Sequence, residues 1–223
     1  MAKNNLTPID AKDYDNEVKN TIPYYDEFHN QTISLIKNMN FNKISWLDLG
    51  CGTGSLVNKA KNVFSKVEFV MVDPSKEMLN QAYIKNKTIK AKYLNCSSET
   101  IRFENQFNVI TAIQVHHYLQ KNIRKKVSEN IYQALSNNGI YITFENVIPE
   151  SKKVKAFELQ RWGIYQQEHG KSLPEVKKHL SRCEVDYFPL TINEHIKLLK
   201  SVGFSIVHIF WYSYMQAGIY AIK

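Results

Sequence analysis

Residues Leu47-Asp48-Leu49-Gly50-Cys51-Gly52-Thr53-Gly54 join a short, mostly apolar run, Ile44 to Leu49, to an amphipathic stretch, Ser55 to Phe64. The first run reads as a strand and the second as a helix, so the glycines fall at a strand-to-helix turn. Glycine there lets the backbone take conformations closed to residues with a β-carbon, and lets a ligand approach the main chain closely. A tight turn with no ligand is the bland alternative. Three glycines in five residues, placed at this junction, favour a ligand.

The alternation continues along the chain. Val67 to Val72 reads as a strand, Met78 to Lys85 as a helix, Ala91 to Leu94 as a short strand and Asn108 to Val115 as a strong one. Ile123 to Leu135 follows as a helix and Gly139 to Asn146 as a strand. Strands alternating with helices of this length build βαβ units on a parallel sheet with helices on both faces. The expected fold is α/β, a doubly wound, Rossmann-like sheet of seven strands, mostly parallel, with two additions to a single domain spanning 1–223. One addition is a helical cap over residues 1–40, bent at Pro23. The other is a helical lid over 150–190, since Lys152 to Cys183 is charged and helical with no strand-like run. A helix from Ile192 to Val202 and an antiparallel terminal hairpin, Phe204 to Trp211 with Met215 to Ile222, complete the pattern.

Spacing narrows the ligand. A dinucleotide fingerprint wants Gly-x-Gly-x-x-Gly, but counting from Gly50 its third position is Ser55, and the glycine comes one residue early at Gly54. A P-loop would need Gly-Lys-Ser/Thr, which is absent. The second strand ends at Val72-Asp73-Pro74-Ser75, about 20 residues beyond the glycines, where a carboxylate can accept both hydroxyls of a ribose. Asp73 could instead cap the following helix. Together the two features indicate an adenosine ligand that lacks a pyrophosphate.

On these residues, with Phe107-Asn108-Val109-Ile110, Gln114-Val115-His116-His117 and Leu135 to Tyr141, the chain resembles the class I S-adenosylmethionine-dependent methyltransferases. The resemblance implies S-adenosylmethionine as cofactor, with Asp48, Gly50, Cys51, Gly52 and Gly54 facing its methionine part, Asp73 and Pro74 its ribose, and Gln114 beside them. Ser97 and Ser98 stand where many relatives carry an adenine-binding aspartate. Tyr14-Asp15 with Ile22-Pro23-Tyr24-Tyr25, and the ending from Gly203-Phe204, look closest to carboxy-S-adenosylmethionine synthase and its relatives. That likeness implies a cofactor contact for Tyr25. It also implies an arginine for an extra carboxylate, but alignment back from Gly203 puts Leu180 at that position, with Arg182 two residues along. An ordinary methyl donor is therefore the reading taken.

A base is needed only when the acceptor has a proton to lose. His116 and His117, at the carboxyl edge of the fourth strand, and Glu145, at the end of the fifth, are the candidate catalytic groups, against a structural reading in which the histidines open the next helix. Trp162, Tyr165, Arg161 and His169 are the lid's candidates for acceptor contact, weighed against aromatics that pack onto the sheet domain.

With 43% apolar and 22% charged residues, a disordered tail, a fibre and a disulfide mini-protein are excluded. The polar start from Met1 to Asp10 and the lack of a run of about 18 apolar residues lead to the expectation of a cytoplasmic protein with no membrane partner. Cys51, Cys96 and Cys183, odd in number and without a CxxC pair, read as reduced thiols, and no metal is expected. The net charge of +8 is dispersed, densest at Arg124, Lys125 and Lys126, so nucleic acid is only weakly indicated and a small-molecule acceptor leads. The alternatives carried are a tRNA wobble-modification enzyme and a non-catalytic cofactor-binding module. Monomer and homodimer are both compatible with the composition.

Overall fold

The computed structural model describes residue 7 and residues 9–223; the rest of the polar start, which bears on targeting, lies outside the described residues. The chain runs α1 (Tyr14–Thr21), α2 (Tyr25–Asn38), β1 (Ile44–Leu49), α3 (Ser55–Ala60), β2 (Val67–Val72), α4 (Lys76–Lys85), β3 (Ala91–Leu94) and β4 (Phe107–Ile113). After a single 3-10 turn at His116–Tyr118 come α5 (Lys121–Ala134), β5 (Leu135–Asn146), α6 (Lys152–Glu168), α7 (Leu173–Leu180), α8 (Ile192–Val202), β6 (Ile206–Ser213) and β7 (Gln216–Ile222). The strands form one seven-stranded sheet in the order β3-β2-β1-β4-β5-β7-β6. The first five are parallel and β7 pairs antiparallel with both β5 and β6. This is the doubly wound sheet with a terminal hairpin that the alternation predicts.

Both sheet faces are covered, which explains the nearly continuous apolar character of the strands. Trp46, Phe69, Ile142 and Phe144 point to the face packed by α2 and α3. Leu47, Leu49, Ile110 and Tyr141 point to the other, packed by α5 and α8. Phe144 is fully buried and stacks on Phe28 at 4.5 Å between ring centres, with Phe210 and Trp211 against its edge. Phe144→Ala is expected to cost about 3–5 kcal/mol of unfolding free energy in a urea titration, because three rings lose their common partner.

Several boundaries differ from the sequence expectation, the start of β5 at Leu135 instead of Gly139 among them. Beyond Ala60 the expected helix tightens, Asn62 and Val63 donating to the carbonyls of Lys59 and Ala60 three residues back. The fourth strand stops at Ile113 because Gln114 takes a positive φ of 59°. The lid segment breaks into two helices at Gly170, φ 89°, and Ser172 restarts it with a capping box to Glu175.

The lid aromatics pack on the N-terminal cap and, through Tyr165 against Tyr214 at 5.6 Å, on the turn of the terminal hairpin. Trp162 Nε1 donates to the Thr21 carbonyl at 2.7 Å and the Tyr165 hydroxyl to the Lys19 carbonyl at 2.9 Å, so α6 captures the unpaired carbonyls at the end of α1. Arg161 lies over the Tyr214 ring at 3.8 Å, and His169 stacks on Tyr165. No helix among the described residues is long and apolar enough to cross a membrane.

Candidate functional site

The chain winds outward from β1 to β3 and then returns to start β4 on the other side of β1, so the carboxyl ends of β1 and β4 flank a topological switch point. The glycine loop sits there. Gly52, φ 53°, donates its N–H to Asp73 Oδ2 at 2.9 Å, and a β-carbon on it would meet nothing within 4 Å, so this backbone faces open space. Gly54 does different work. Its φ is 73°, and a β-carbon there would lie 2.6 Å from Asn86 Nδ2 and 2.8 Å from Met71 Cε, so this glycine lets α3 close against α4 and does not line the cavity.

Asp73 accepts from Gly52 N through one oxygen and from Ser75 N, at 2.9 Å, through the other. Each carboxylate oxygen keeps a lone pair, which suits the two hydroxyls of a ribose. Burial raises the carboxyl above its usual range while the two backbone donors hold it down. Asp48 is fully enclosed, accepts from the Thr111 hydroxyl at 2.6 Å and is pushed up to about 7 by burial.

A cavity of about 340 Å³ opens from this loop. Gly50, Gly52, Asp73, Pro74, Met78 and Gln114 form its sheet-side wall; Tyr14 and Val18 of α1 form a second, and Trp162, Gln166, His179 and Arg182 of the lid a third. A smaller cavity of about 30 Å³ shares Tyr14, Gly50 and Gly52 with it and is lined by Tyr25, Asp48 and Cys51. Gln114 is 8% exposed, holds a left-handed backbone conformation, and leaves both atoms of its amide without a partner. Strain together with an unpaired buried amide in a cavity wall is the pattern expected where a ligand is to be met.

The adenine-side expectation for Ser97 and Ser98 is not met. Neither residue lines the cavity; Ser98 Oγ turns inward to His116 Nε2 at 3.2 Å, where a buried ring nitrogen needs a partner. Asn95 instead ties this loop to the cofactor side, donating to the Asp73 and Pro74 carbonyls at 3.0 and 2.8 Å. Met78 is a cavity residue that no motif marks.

The two histidines part ways. His116 spends both nitrogens inside the protein, on Ser98 and on the Tyr141 hydroxyl at 3.0 Å, and burial lowers its pKa to about 4; it does not line the cavity. His117 does line it. Its Nδ1 faces Glu145 Oε2 at 3.2 Å, so Nδ1–H donates to the carboxylate and Nε2 carries the lone pair. Glu145 is buried behind His117 and also accepts from the Thr143 hydroxyl at 2.7 Å and from His116 N at 3.3 Å; its burial, which would raise the carboxyl, is outweighed by the His117 hydrogen bond and by the charges of the histidines and Arg124, which hold it ionised. It orients the ring and does not reach the cavity.

The lid distinguishes the two residues weighed for an anion. Arg182, not Leu180, lines the cavity; Leu180 turns toward Gly163, where its Cδ1 would lie 3.2 Å from an added β-carbon. Arg182 is set by Asp186, which accepts from its Nε at 2.7 Å, and by Tyr118.

An open glycine backbone, a carboxylate with lone pairs to spare and an unpaired amide suit the ribose and amino-acid ends of S-adenosylmethionine. Residues 47–139 match the family described as Methyltransferase domain. The chain is similar to the carboxy-S-adenosyl-L-methionine synthases of Nautilia profundicola, 24% identical over 89% of this chain and 86% of the relative, and of Campylobacter lari, 28% identical over 88% and 85%. Among solved structures, phosphoethanolamine N-methyltransferase 2 of Haemonchus contortus, in complex with S-adenosyl-L-methionine, superposes with a TM-score of 0.63 at 15% identity, over 96% of this chain and 60% of that one. The glycine loop, the acid after β2 and the sheet order agree with these findings: residues 47–139 form a methyltransferase domain, on the Rossmann-like fold shared with S-adenosylmethionine-dependent methyltransferases, with S-adenosylmethionine as its cofactor.

Proposed function

We propose that the chain methylates an oxygen or nitrogen of a small anionic acceptor enclosed between the glycine loop and the lid, with His117 as general base. The observation that carries this reading is the single cavity shared by the glycine loop, His117 and Arg182. Bound S-adenosylmethionine supplies an already activated methyl group, so the protein has mainly to align the acceptor and keep the pocket dry. Asp73 and the Gly50 to Gly52 backbone hold the cofactor. Arg182 meets a negative charge on the acceptor, and the Nε2 lone pair of His117, backed by Glu145, takes the acceptor's proton. Tyr14, Tyr118 and Trp162 supply apolar walls.

Arg182 also favours a second reading, in which the anion it meets is a carboxylate on the cofactor itself, as the names of the two relatives suggest. Mass spectrometry of small molecules released from freshly purified protein separates the two. S-adenosylmethionine or its demethylated product supports the first reading, and a species heavier than S-adenosylmethionine by one carbon dioxide supports the second. In the same experiment Asp73→Ala is expected to weaken cofactor binding by about two orders of magnitude, since two hydrogen bonds to a charged group are lost and the Gly52 anchor with them. Unchanged binding, read by calorimetry, would remove Asp73 from the site.

A further inference from the structure

We propose that Gln166, held by His179 on the lid, is a specificity-determining residue that demands an O–H or N–H donor on the acceptor. The inference rests on the reading of the cavity as the acceptor site, and adds what the acceptor must carry.

Gln166 lies in the last turns of α6, is fully buried and lines the cavity. Its Nε2 stands 3.0 Å from His179 Nδ1 on α7. Burial, with Arg182 and Lys171 nearby, lowers the His179 pKa to about 4, so the ring is neutral at pH 7. Because Nε2 of the amide faces Nδ1, the neutral ring accepts there and carries its proton on Nε2, and Oε1 is the amide's other end. Oε1 has no partner. A buried carbonyl oxygen left unpaired is costly, and in a cavity wall the missing partner is a ligand donor.

The pair is also held rigidly. Trp162, one turn before Gln166, packs edge-on against the His179 ring at 4.9 Å and is tied to α1 through the Thr21 carbonyl. Gly163 lets α6 and α7 approach, since a β-carbon there would stand 3.2 Å from Leu180 and from Val176. An amide fixed in this way discriminates as a built polar site does, rejecting an analogue that lacks the donor more strongly than an apolar pocket rejects a change of size.

The test is calorimetric binding to the full chain saturated with S-adenosylhomocysteine. The probes are 2-, 3- and 4-hydroxybenzoate against benzoate and the matching methoxybenzoates, and lactate against propionate. At least one hydroxy acid is expected to bind about tenfold or more tightly than its partner without the hydroxyl, from the price of leaving Oε1 unpaired. Gln166→Leu, and independently Gln166→Met, are expected to reduce that preference to within about threefold while S-adenosylhomocysteine affinity is unchanged, which also reports that the variants fold. Equal binding of hydroxylated and plain acids overturns the proposal, as does a preference that survives both substitutions. A preference for the methoxy probes would mean that the amide presents its N–H to the ligand and overturns it too. Failure of every probe to bind, with S-adenosylhomocysteine still bound, overturns both this inference and the acceptor-site reading, whereas equal binding that depends on Arg182 overturns this inference alone.

Discussion

Acidification from pH 7 to pH 5 is expected to remove several kcal/mol of unfolding free energy from this protein, as read by urea titrations followed by far-ultraviolet circular dichroism and tryptophan fluorescence. Four histidines that the fold shields from water cause it, three of them buried and His179 half-buried in the cavity wall. Burial lowers His116, His179 and His195 to about 4 and His29 to about 3, from a usual value of 6.5. Above pH 6.5 these rings are neutral in both folded and unfolded chains and contribute nothing to the pH dependence. Below it the unfolded chain binds protons that the folded chain refuses until about pH 4, so stability falls across that window. Each ring costs about 1.4 kcal/mol per pH unit, and Asp48, whose carboxyl burial pushes up to about 7, binds a proton in the folded chain over the same window and offsets one of them, which leaves a net loss on the order of 4 kcal/mol per unit against a total stability of about 5–15 kcal/mol for a domain. His195→Leu removes one of these protons and a ring whose Nε2 is buried without a partner, so its unfolding midpoint should move to lower pH. An unfolding free energy that stays constant between pH 6.5 and pH 5 would show that the four rings are not held neutral by the fold.

His117→Gln is expected to lower kcat by about 10²–10⁴, the usual worth of a general base, with little change in cofactor affinity. His117 is the candidate whose ring both lines the cavity and is anchored by a buried carboxylate. Burial lowers its pKa and Glu145 opposes that shift, so the acid limb of the kcat profile should lie below the usual histidine range. Glu145→Gln takes away the opposing charge. Its acid limb should move to still lower pH, with a smaller loss of kcat than His117→Gln, a displacement that a purely structural role for Glu145 would not produce. Full activity in His117→Gln would mean that the acceptor loses its proton without help from this ring.

Much of the architecture is legible because it is written in local periodicity. Ile44 to Leu49 and Val67 to Val72 read as strands and appear at those residues, and the terminal hairpin follows from two β-rich runs separated by a short turn. The cofactor side is legible for a related reason. Gly50, Gly52 and Asp73 belong to a short motif whose spacing is dictated by one strand-turn-helix and the end of the neighbouring strand, so sequence distance stands for spatial distance. The expectation fails where that equivalence fails. Ser98 lies in the right loop, yet its hydroxyl is claimed by His116, 18 residues away.

The glycine loop, Asp73 and the βαβ alternation determined the class of fold, an adenosine ligand without a pyrophosphate and the edge of the sheet where it binds, while the resemblance to a known family supplied the cofactor's identity. Which histidine meets the cavity, that Arg182 and not Leu180 reaches it, and that Gln166 carries an unpaired oxygen were decided only by tertiary packing. Neighbours His116 and His117 point apart because a single 3-10 turn separates their directions. Arg182 enters because the break at Gly170 swings α7 back across α6. These outcomes depend on contacts between residues far apart in the chain, whose energies are set by burial and pairing, and neither can be read from the order of the residues alone.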